Sequence, residues 1–228
     1  MVKKQSEAEK RSSKGRTFPQ SVRLGIFGAS GSGKSYRARQ LTEGLERVLF
    51  FDPLGDFSNG ATVICDYDKL INFLFHNWRS GFRISYRPEF GNEVEELHKI
   101  SNMLLLLQYG YGRQHWGKVT LVVDELDEGF PSGITQKNPK NGFAYLCKRG
   151  RHFGINLIGC SQRTAQVDVC FRGNLTGLYL FRHVDPIDTE KALQMLGRQY
   201  AADFRNLNDR EYIYKSGALQ KIVKNEKK

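Results

Sequence analysis

A glycine-rich segment at residues 28–35 limits the possible folds of this chain more than any other feature. Its sequence is Gly-Ala-Ser-Gly-Ser-Gly-Lys-Ser, which fits the pattern GxxxxGK[ST] at every fixed position. An apolar run at 22–29 leads into it, and residues 35–47 carry apolar side chains at helical spacing. A buried strand, a tight glycine turn and a helix are therefore predicted in that order. This arrangement is typical of loops that enclose phosphate groups.

The residue types in this segment suit a nucleoside triphosphate with its metal ion. Glycines allow backbone N–H groups to approach the β-phosphate, and the start of the helix adds positive potential. We expect Lys34 to reach the β- and γ-phosphates and the Ser35 hydroxyl to ligate the metal. The sequence thus predicts ATP and Mg²⁺ as ligands. The predicted contacts to ATP are Gly28, Ala29, Ser30, Gly31, Ser32, Gly33, Lys34 and Ser35.

Two adjacent carboxylates follow a second buried strand. The predicted strand is Val-Thr-Leu-Val-Val at 119–123, and Asp124 and Glu125 come directly after it. In a parallel sheet covered by helices, ligands bind at the carboxyl ends of the strands, so both acids are expected at that edge. We expect Asp124 to hold the Mg²⁺ shell and Glu125 to polarise the attacking water. Two acids together argue against a simple kinase, in which a substrate hydroxyl replaces the water.

Polar and basic residues flank a third buried strand, predicted at 156–161. Arg149 and Arg151 precede it in a cluster of cations. Charge alone leaves two interpretations, a solvated helix end or an arginine finger that completes the site of a neighbouring subunit. Gln162 follows the strand and is a candidate sensor of the γ-phosphate, the alternative being an ordinary capping amide.

Strand-like and helix-like patterns alternate along most of the chain. Apolar runs indicate strands at 22–29, 48–51, 61–65, 82–87, 119–123, 156–161 and 175–182, with a hairpin of 211–216 and 219–224 around Gly217. Helical spacing is found at 35–47, 70–78, 94–108, 143–152, 188–196 and 201–207. This alternation predicts an α/β fold, a mostly parallel sheet with helices on both faces. Residues 129–142 are rich in Gly, Pro, Asn and Lys and are predicted to form an irregular loop.

Charge divides the chain into three parts. We assign residues 1–20 to a basic flexible arm, 21–217 to one domain and 218–228 to a basic tail. The net charge is +11 and the isoelectric point about 9.5; even without the tails the body stays positive, which favours a nucleic acid partner. The longest apolar stretch, near 103–107, is far shorter than the roughly 20 residues of a membrane helix, so no transmembrane segment is expected. The four cysteines lack zinc-like spacing.

Four segments together resemble the FtsK–HerA superfamily of DNA-pumping ATPases. They are the glycine-rich segment, Phe-Phe-Asp-Pro at 50–53, Leu-Val-Val-Asp-Glu at 121–125, and the stretch 151–163. The last is similar to the family pattern R-x-x-G-I-x-L…T-Q-R-P. In that alignment Arg151 falls on the arginine finger and Gln162 on the polar sensor, although related proteins also use neighbouring arginines such as Arg149. The chain departs from the pattern at Ser161 and Thr164.

The resemblance implies a RecA-like P-loop NTPase core working in a closed ring of identical subunits, by expectation a hexamer. A bare core of this length resembles the genome-packaging ATPases of tailless, internal-membrane viruses. The expected partners are double-stranded DNA, further copies of the chain and capsid vertex proteins, and the expected location is the host cytoplasm and the virion. Lys137 and Lys140, after the catalytic strand, are candidate DNA contacts; ordinary surface lysines are the alternative.

Two other classes of protein stay open on the sequence alone. A filamentous-phage-type assembly or export ATPase would normally carry a transmembrane helix. A small P-loop phosphotransferase would need an Arg-rich lid and an acceptor pocket, and neither is evident in the sequence. Stimulation of ATP turnover by double-stranded DNA, by membranes or by a small acceptor separates the three classes.

Overall fold

A nine-stranded sheet organises the computed structural model, which describes residues 21–111, 117–217 and 219–223. The strands are β1 (Arg23–Phe27), β2 (Arg47–Phe51), β3 (Thr62–Ile64), β4 (Phe82–Tyr86), β5 (Val119–Val123), β6 (Ile155–Ser161), β7 (Gly177–Phe181), β8 (Tyr212–Ser216) and β9 (Leu219–Val223). Their order across the sheet is β3-β4-β2-β5-β6-β1-β7-β8-β9. Strands β1 to β7 run parallel, and β8 and β9 add an antiparallel hairpin at one edge.

Helices connect the strands. They are α1 (Lys34–Thr42), α2 (Tyr67–Asn77), α3 (Glu93–Leu107), α4 (Leu126–Gly129), α5 (Ile134–Lys137), α6 (Gly142–Arg149), α7 (Val169–Arg172), α8 (Pro186–Leu196) and α9 (Ala201–Arg205). Three short 3₁₀ segments, Gly150–Phe153, Thr164–Gln166 and Arg198–Tyr200, join some of them. Among the described residues, no helix is both long and apolar enough to span a bilayer.

The two faces of the sheet are covered unequally. On one face α1 packs Ala38 and Leu41 against a small core that includes Phe50 of β2. The larger core lies on the other face, where α2, α3, α6, α7 and α8 all contribute buried side chains, such as Leu97 and Phe143. The prediction of an α/β sheet with helices on both faces is thereby confirmed. The central strands are buried along their whole length because neighbours and helices enclose them.

The structure corrects three boundaries. Helix α1 ends at Thr42 rather than at 47, because Gly44 takes a positive φ of 72° and turns the chain into β2. Residues 129–142 are not an irregular loop throughout, since α5 occupies their middle. Strand β9 continues the sheet beyond residue 217, where we placed the end of the domain. The predicted arm at 1–20 and the last five residues lie outside the described part of the chain.

Candidate functional site

The glycine-rich segment 28–35, which we call the phosphate loop, joins the end of β1 to the start of α1. Gly28 must lack a side chain, because a Cβ there would lie 2.5 Å from the Cβ of Phe181 on the neighbouring strand β7. Gly33 has a φ of 106°, a left-handed conformation that L side chains rarely adopt. Backbone N–H groups of the loop and of the first turn of α1 can therefore curl around a bound anion.

Lys34 lies across the mouth of the phosphate loop. Its side chain is buried, and its Nζ donates a hydrogen bond to the carbonyl oxygen of Ala29 at 3.0 Å. Burial lowers the pKa of the ammonium group, while Glu125 and Asp124 act in the opposite direction. Close by, the hydroxyl of Ser32 is buried and has no hydrogen-bond partner within the described ranges. A buried ammonium and an unpartnered buried hydroxyl in one loop fit the oxygens of a phosphate chain.

The two predicted acids lie at the carboxyl end of β5, and β6 lies between β5 and β1 in the sheet. Parallel pairing with β6 places Val123 opposite Gly159, and β6 in turn places Ser161 opposite Phe27. Asp124 is only 3% exposed. Its pKa is raised to about 7, mainly by burial and also by the charges of Glu125, Asp56 and Asp52, while Lys34 acts in the opposite direction. The site therefore holds more negative charge than the single lysine neutralises.

Glu125 and Gln162 meet at this edge of the sheet. The amide Nε2 of Gln162 donates a hydrogen bond to Oε1 of Glu125 at 2.8 Å. Burial raises the pKa of Glu125, and the bond from Gln162 opposes that shift. Glu125 also has a φ of 44°, a left-handed conformation that is uncommon for a residue with a side chain. Strain of this kind is concentrated at functional sites.

A carboxylate that the sequence analysis missed touches the phosphate loop. The hydroxyl of Ser35 donates a hydrogen bond to Oδ2 of Asp56 at 3.1 Å. Asp56 belongs to the segment after β2, four residues beyond Asp52. An acid in a Pro- and Gly-containing turn carries no periodic signal, so only the contact between this segment and the first turn of α1 reveals it.

Asp52 is the most buried of the acids at this edge of the sheet. It is fully buried, and its Oδ2 accepts hydrogen bonds from the backbone N–H of Phe57 at 2.9 Å and from the hydroxyl of Ser85 at 2.6 Å. Its Oδ1 has no partner among the described residues. The Asp-Pro pair at the end of β2 is one of the segments that resemble the ATPase family, but the sequence alone gives it no role in the site.

The residues at this edge fit a divalent cation held together with a nucleotide. No group of three or more His, Cys, Asp or Glu side chains forms a metal cage in the described ranges. Mg²⁺ does not require one, since it takes one or two protein oxygens and completes its shell with phosphates and water. The Ser35 hydroxyl and the Asp124 carboxylate would supply the protein oxygens. The surplus negative charge around Asp124 gives a reason for a cation to bind here.

Arg149 and Arg151 lie at the opposite edge of the sheet. Both are exposed, and both precede β6, whose first residue Ile155 pairs with Val119 at the amino end of β5. The seven residues of β6 span about 20 Å between this edge and Gln162. Neither arginine can therefore reach the phosphate loop of its own chain.

Lys137 and Lys140 are exposed in the segment that follows β5. That segment is held to the exit of β6 by backbone hydrogen bonds from the N–H of Ser132 to the carbonyl of Gln166 at 2.6 Å and from Asp168 back to Phe130 at 3.1 Å. The chain after Glu125 and the chain after Gln162 therefore form one connected unit.

The fold is similar to that of known ATPases. No protein-family model matches the sequence, and no curated protein matches it. The genome packaging NTPase B204 from Sulfolobus turreted icosahedral virus 2, in complex with AMPPCP, has a TM-score of 0.72 at 14% identity over 91% of this chain and 99% of that chain. The DNA-packaging ATPase B204 from Sulfolobus Turreted Icosahedral Virus gives 0.71 at 15% identity, over 92% and 100%.

A further similar structure comes from a different kind of protein. VirB4 of Thermoanaerobacter pseudethanolicus has a TM-score of 0.61 at 13% identity, over 90% of this chain and 89% of that chain. Identities this low establish the fold alone. The chain has the fold of the FtsK–HerA-type P-loop ATPases, the family that its sequence motifs resemble.

Proposed function

We propose that this chain is an ATPase that moves double-stranded DNA into a preformed viral capsid. The observation that carries the proposal is the hydrogen bond between Gln162 and Glu125, beside the buried Lys34 and the hydroxyl of Ser35. An acid that activates water, a neutral donor that orients it and a cation for the phosphates are the parts that ATP hydrolysis needs.

The phosphate loop binds the triphosphate of ATP, and Lys34 neutralises charge on the β- and γ-phosphates. Mg²⁺, bound with the nucleotide, supplies further neutralisation of the phosphate oxygens. Ser35 and Asp124 would hold Mg²⁺ on the protein side, which would require the Ser35 hydroxyl to leave Asp56, to which it now donates. Glu125 accepts a hydrogen bond from the attacking water and polarises it toward the γ-phosphorus.

Gln162 has two tasks in this account. Its amide holds the carboxylate of Glu125 in the direction of the attacking water, and it can exchange that bond for one to the γ-phosphate. Because a neutral amide does not compete for the cation, it can respond to the phosphate without displacing Mg²⁺. The presence of the γ-phosphate is thereby communicated to the end of β6.

Completion of the site requires a second copy of the chain. Arg149 and Arg151 are exposed at the edge of the sheet away from their own phosphate loop. In a closed ring, one of them reaches the γ-phosphate of the neighbouring subunit and stabilises charge in the transition state. We therefore propose a closed ring of identical chains, by expectation a hexamer.

Coupling to DNA follows from the connected unit at the ends of β5 and β6. A change at Gln162 reaches the segment at 130–141 through its hydrogen bonds with residues 166–168. Lys137 and Lys140 are exposed on that segment and bind the phosphate backbone without reading the bases. The net charge of +11 favours the same partner.

The viral role rests on the neighbours that share the fold over nearly their whole length. B204 is described as a genome packaging NTPase and covers almost all of this chain. We therefore propose capsid vertex proteins as further partners, and the host cytoplasm and the virion as the location.

The test compares ATP turnover of the full chain with four additions, namely double-stranded DNA, single-stranded DNA, lipid vesicles and nucleoside monophosphates. Linear double-stranded DNA is expected to stimulate turnover at several-fold lower concentration than single-stranded DNA, while lipid vesicles and nucleoside monophosphates leave the rate unchanged. Stimulation by vesicles alone would support an export ATPase, and transfer of phosphate to a nucleoside monophosphate would support a phosphotransferase. Either result would contradict the proposal.

A further inference from the structure

The turn before β8 brings a cation to the phosphate loop that no sequence motif indicated. Arg210 and Glu125 are the two residues other than glycine that have a positive φ in the described ranges, 66° and 44°. Glu125 belongs to the candidate catalytic site. The second such residue, Arg210, lies against the phosphate loop itself, since its Cγ is 3.9 Å from the position that a Cβ of Gly33 would occupy.

The sheet explains this proximity. Antiparallel pairing places Tyr212, the first residue of β8, opposite Phe181, the last residue of β7. The ring of Phe181 packs on Gly33, at 3.5 Å from the same Cβ position. The turn that precedes β8 therefore ends at the carboxyl edge of the sheet, directly beside the phosphate loop.

The turn is held by its own contacts, and these leave the side chain of Arg210 uncommitted. The backbone N–H and the side-chain amide of Asn208 both donate to Oε2 of Glu211, at 3.0 and 3.1 Å. Arg182 pairs with Asp209 at 3.2 Å. The side chain of Arg210 is exposed and makes no hydrogen bond or ion pair with the part of the chain that the structure describes. The strained backbone thus presents a free guanidinium beside a phosphate-binding loop.

The order of strands fixes which part of a nucleotide would meet this group. Glu125 and Gln162, which must face the γ-phosphate, follow β5 and β6 on one side of β1. Strands β7 and β8, with Arg210, lie on the other side of β1. A triphosphate on the phosphate loop with its γ-phosphate toward Glu125 extends in the opposite direction, toward β8.

We propose that Arg210 binds the nucleoside of ATP, its ribose and base, rather than the phosphates. A guanidinium can stack on the face of the base and donate charge-assisted hydrogen bonds to the ribose oxygens, so both contacts are open to one side chain at this place. The inference rests on the proposed function, because it requires ATP on the phosphate loop. It adds a binding residue from the last part of the domain to a site otherwise built from β1, β5 and β6.

The experiment measures binding of Mg²⁺-ADP and of Mg²⁺-tripolyphosphate to the full chain by titration calorimetry. Arg210→Ala is expected to weaken ADP binding about tenfold, since a charge-assisted contact contributes ~1.4 kcal/mol or more. Tripolyphosphate, which has no nucleoside end, is expected to bind the variant as tightly as the wild type. Arg205→Ala, an exposed arginine on α9, is the control and is expected to bind both ligands normally.

A second variant separates binding from folding. Arg210→Gly removes the guanidinium and also relieves the positive φ, so its melting temperature is expected to equal or exceed that of the wild type. It is nevertheless expected to lose the same tenfold in ADP affinity. Normal ADP binding by either variant, or equal weakening of tripolyphosphate, would overturn the inference. If the wild type bound neither ligand, the proposed function itself would fail.

Discussion

Glu125 combines a strained backbone with a bond to the residue predicted to sense the phosphate. A non-glycine residue in the left-handed region costs on the order of 1–3 kcal/mol, and the surrounding structure must compensate for it. The sequence predicted Glu125 and Gln162 because each lies within two residues of the end of a buried strand. It could not predict Asp56 and Arg210, which lie in turns and approach the phosphate loop only through the order of the strands.

The role of Glu125 is tested by its isosteric amide. Glu125→Gln is expected to bind ATP with normal affinity and to lose turnover by about 10²–10⁴-fold, because the amide cannot polarise water. Glu128→Gln, the same change at an exposed acid three residues later, is the control and should turn over normally. Calorimetric binding and steady-state turnover provide the two readouts. Turnover of Glu125→Gln near the wild-type rate would remove Glu125 from the mechanism.

The raised pKa of Asp124 predicts how the stability of the nucleotide-free fold depends on pH. Its pKa is raised from 3.8 to about 7, so the folded protein binds a proton between these values that the unfolded chain has already lost. Asp124 therefore destabilises the nucleotide-free fold progressively as the pH rises from about 4 to 7. At 1.36 kcal/mol per pKa unit, the upper limit of this cost is ~4 kcal/mol.

Thermal unfolding of Asp124→Asn across pH measures this cost. The variant is expected to melt above the nucleotide-free wild type at pH 8, and the difference should close as the pH falls toward about 4. Addition of Mg²⁺-ATP should raise the melting temperature of the wild type more than that of the variant, because only the ionised carboxylate attracts the cation. Equal melting temperatures at every pH would contradict the assignment of Asp124 as a buried, raised-pKa acid.

At the scale of elements, the buried parallel strands were the most predictable parts of the fold. The run at 119–123 became β5 without change, and most other strands differ by one or two residues at their ends. Helices α4, α5 and α7 have four residues each, too few for a period of 3.6 to be visible in the sequence. The hydrogen bonds that join the segment after β5 to that after β6 depend on tertiary contacts, and the sequence contains no sign of them.

If that connected unit links the site to DNA, changes in its lysines should alter DNA-stimulated turnover and leave turnover without DNA unchanged. The double variant Lys137→Ala, Lys140→Ala is expected to lose most of the DNA stimulation of ATP turnover while its rate without DNA stays near that of the wild type. The slope of log affinity for DNA against log salt should also fall by roughly one for each phosphate contact removed. Lys69→Ala on α2, at the far end of the sheet, is the control. Unchanged stimulation and salt dependence would show that the DNA contacts lie elsewhere.

At the scale of the whole molecule, the proposed role of the two arginines requires an active unit larger than one chain. The sequence indicated their chemistry but not their edge of the sheet, which depends on the parallel direction of β6. Arg151→Ala is expected to reduce turnover by about 10³-fold or more with little change in ATP affinity. The same measurement on Arg149→Ala shows which of the two arginines completes the neighbouring site.

Mixing of variant subunits tests whether the arginine acts on the site of a neighbouring subunit. Arg151→Ala retains its own Glu125, and Glu125→Gln retains its own Arg151, so a mixed ring contains some interfaces with both groups intact. Equimolar mixtures are expected to regain a clear fraction of wild-type turnover that neither variant has alone. Failure to regain activity in a mixture that forms rings would contradict a finger supplied in trans.

The most direct test of the account is movement along DNA, measured as displacement of a triplex-forming oligonucleotide from linear double-stranded DNA. The full chain is expected to displace it in the presence of Mg²⁺-ATP, with a delay that grows with the distance between the DNA end and the triplex. Lys34→Ala, which lacks the cation of the phosphate loop, is expected to displace none. Rapid ATP hydrolysis on DNA without any displacement would contradict the claim that this chain is a DNA translocase.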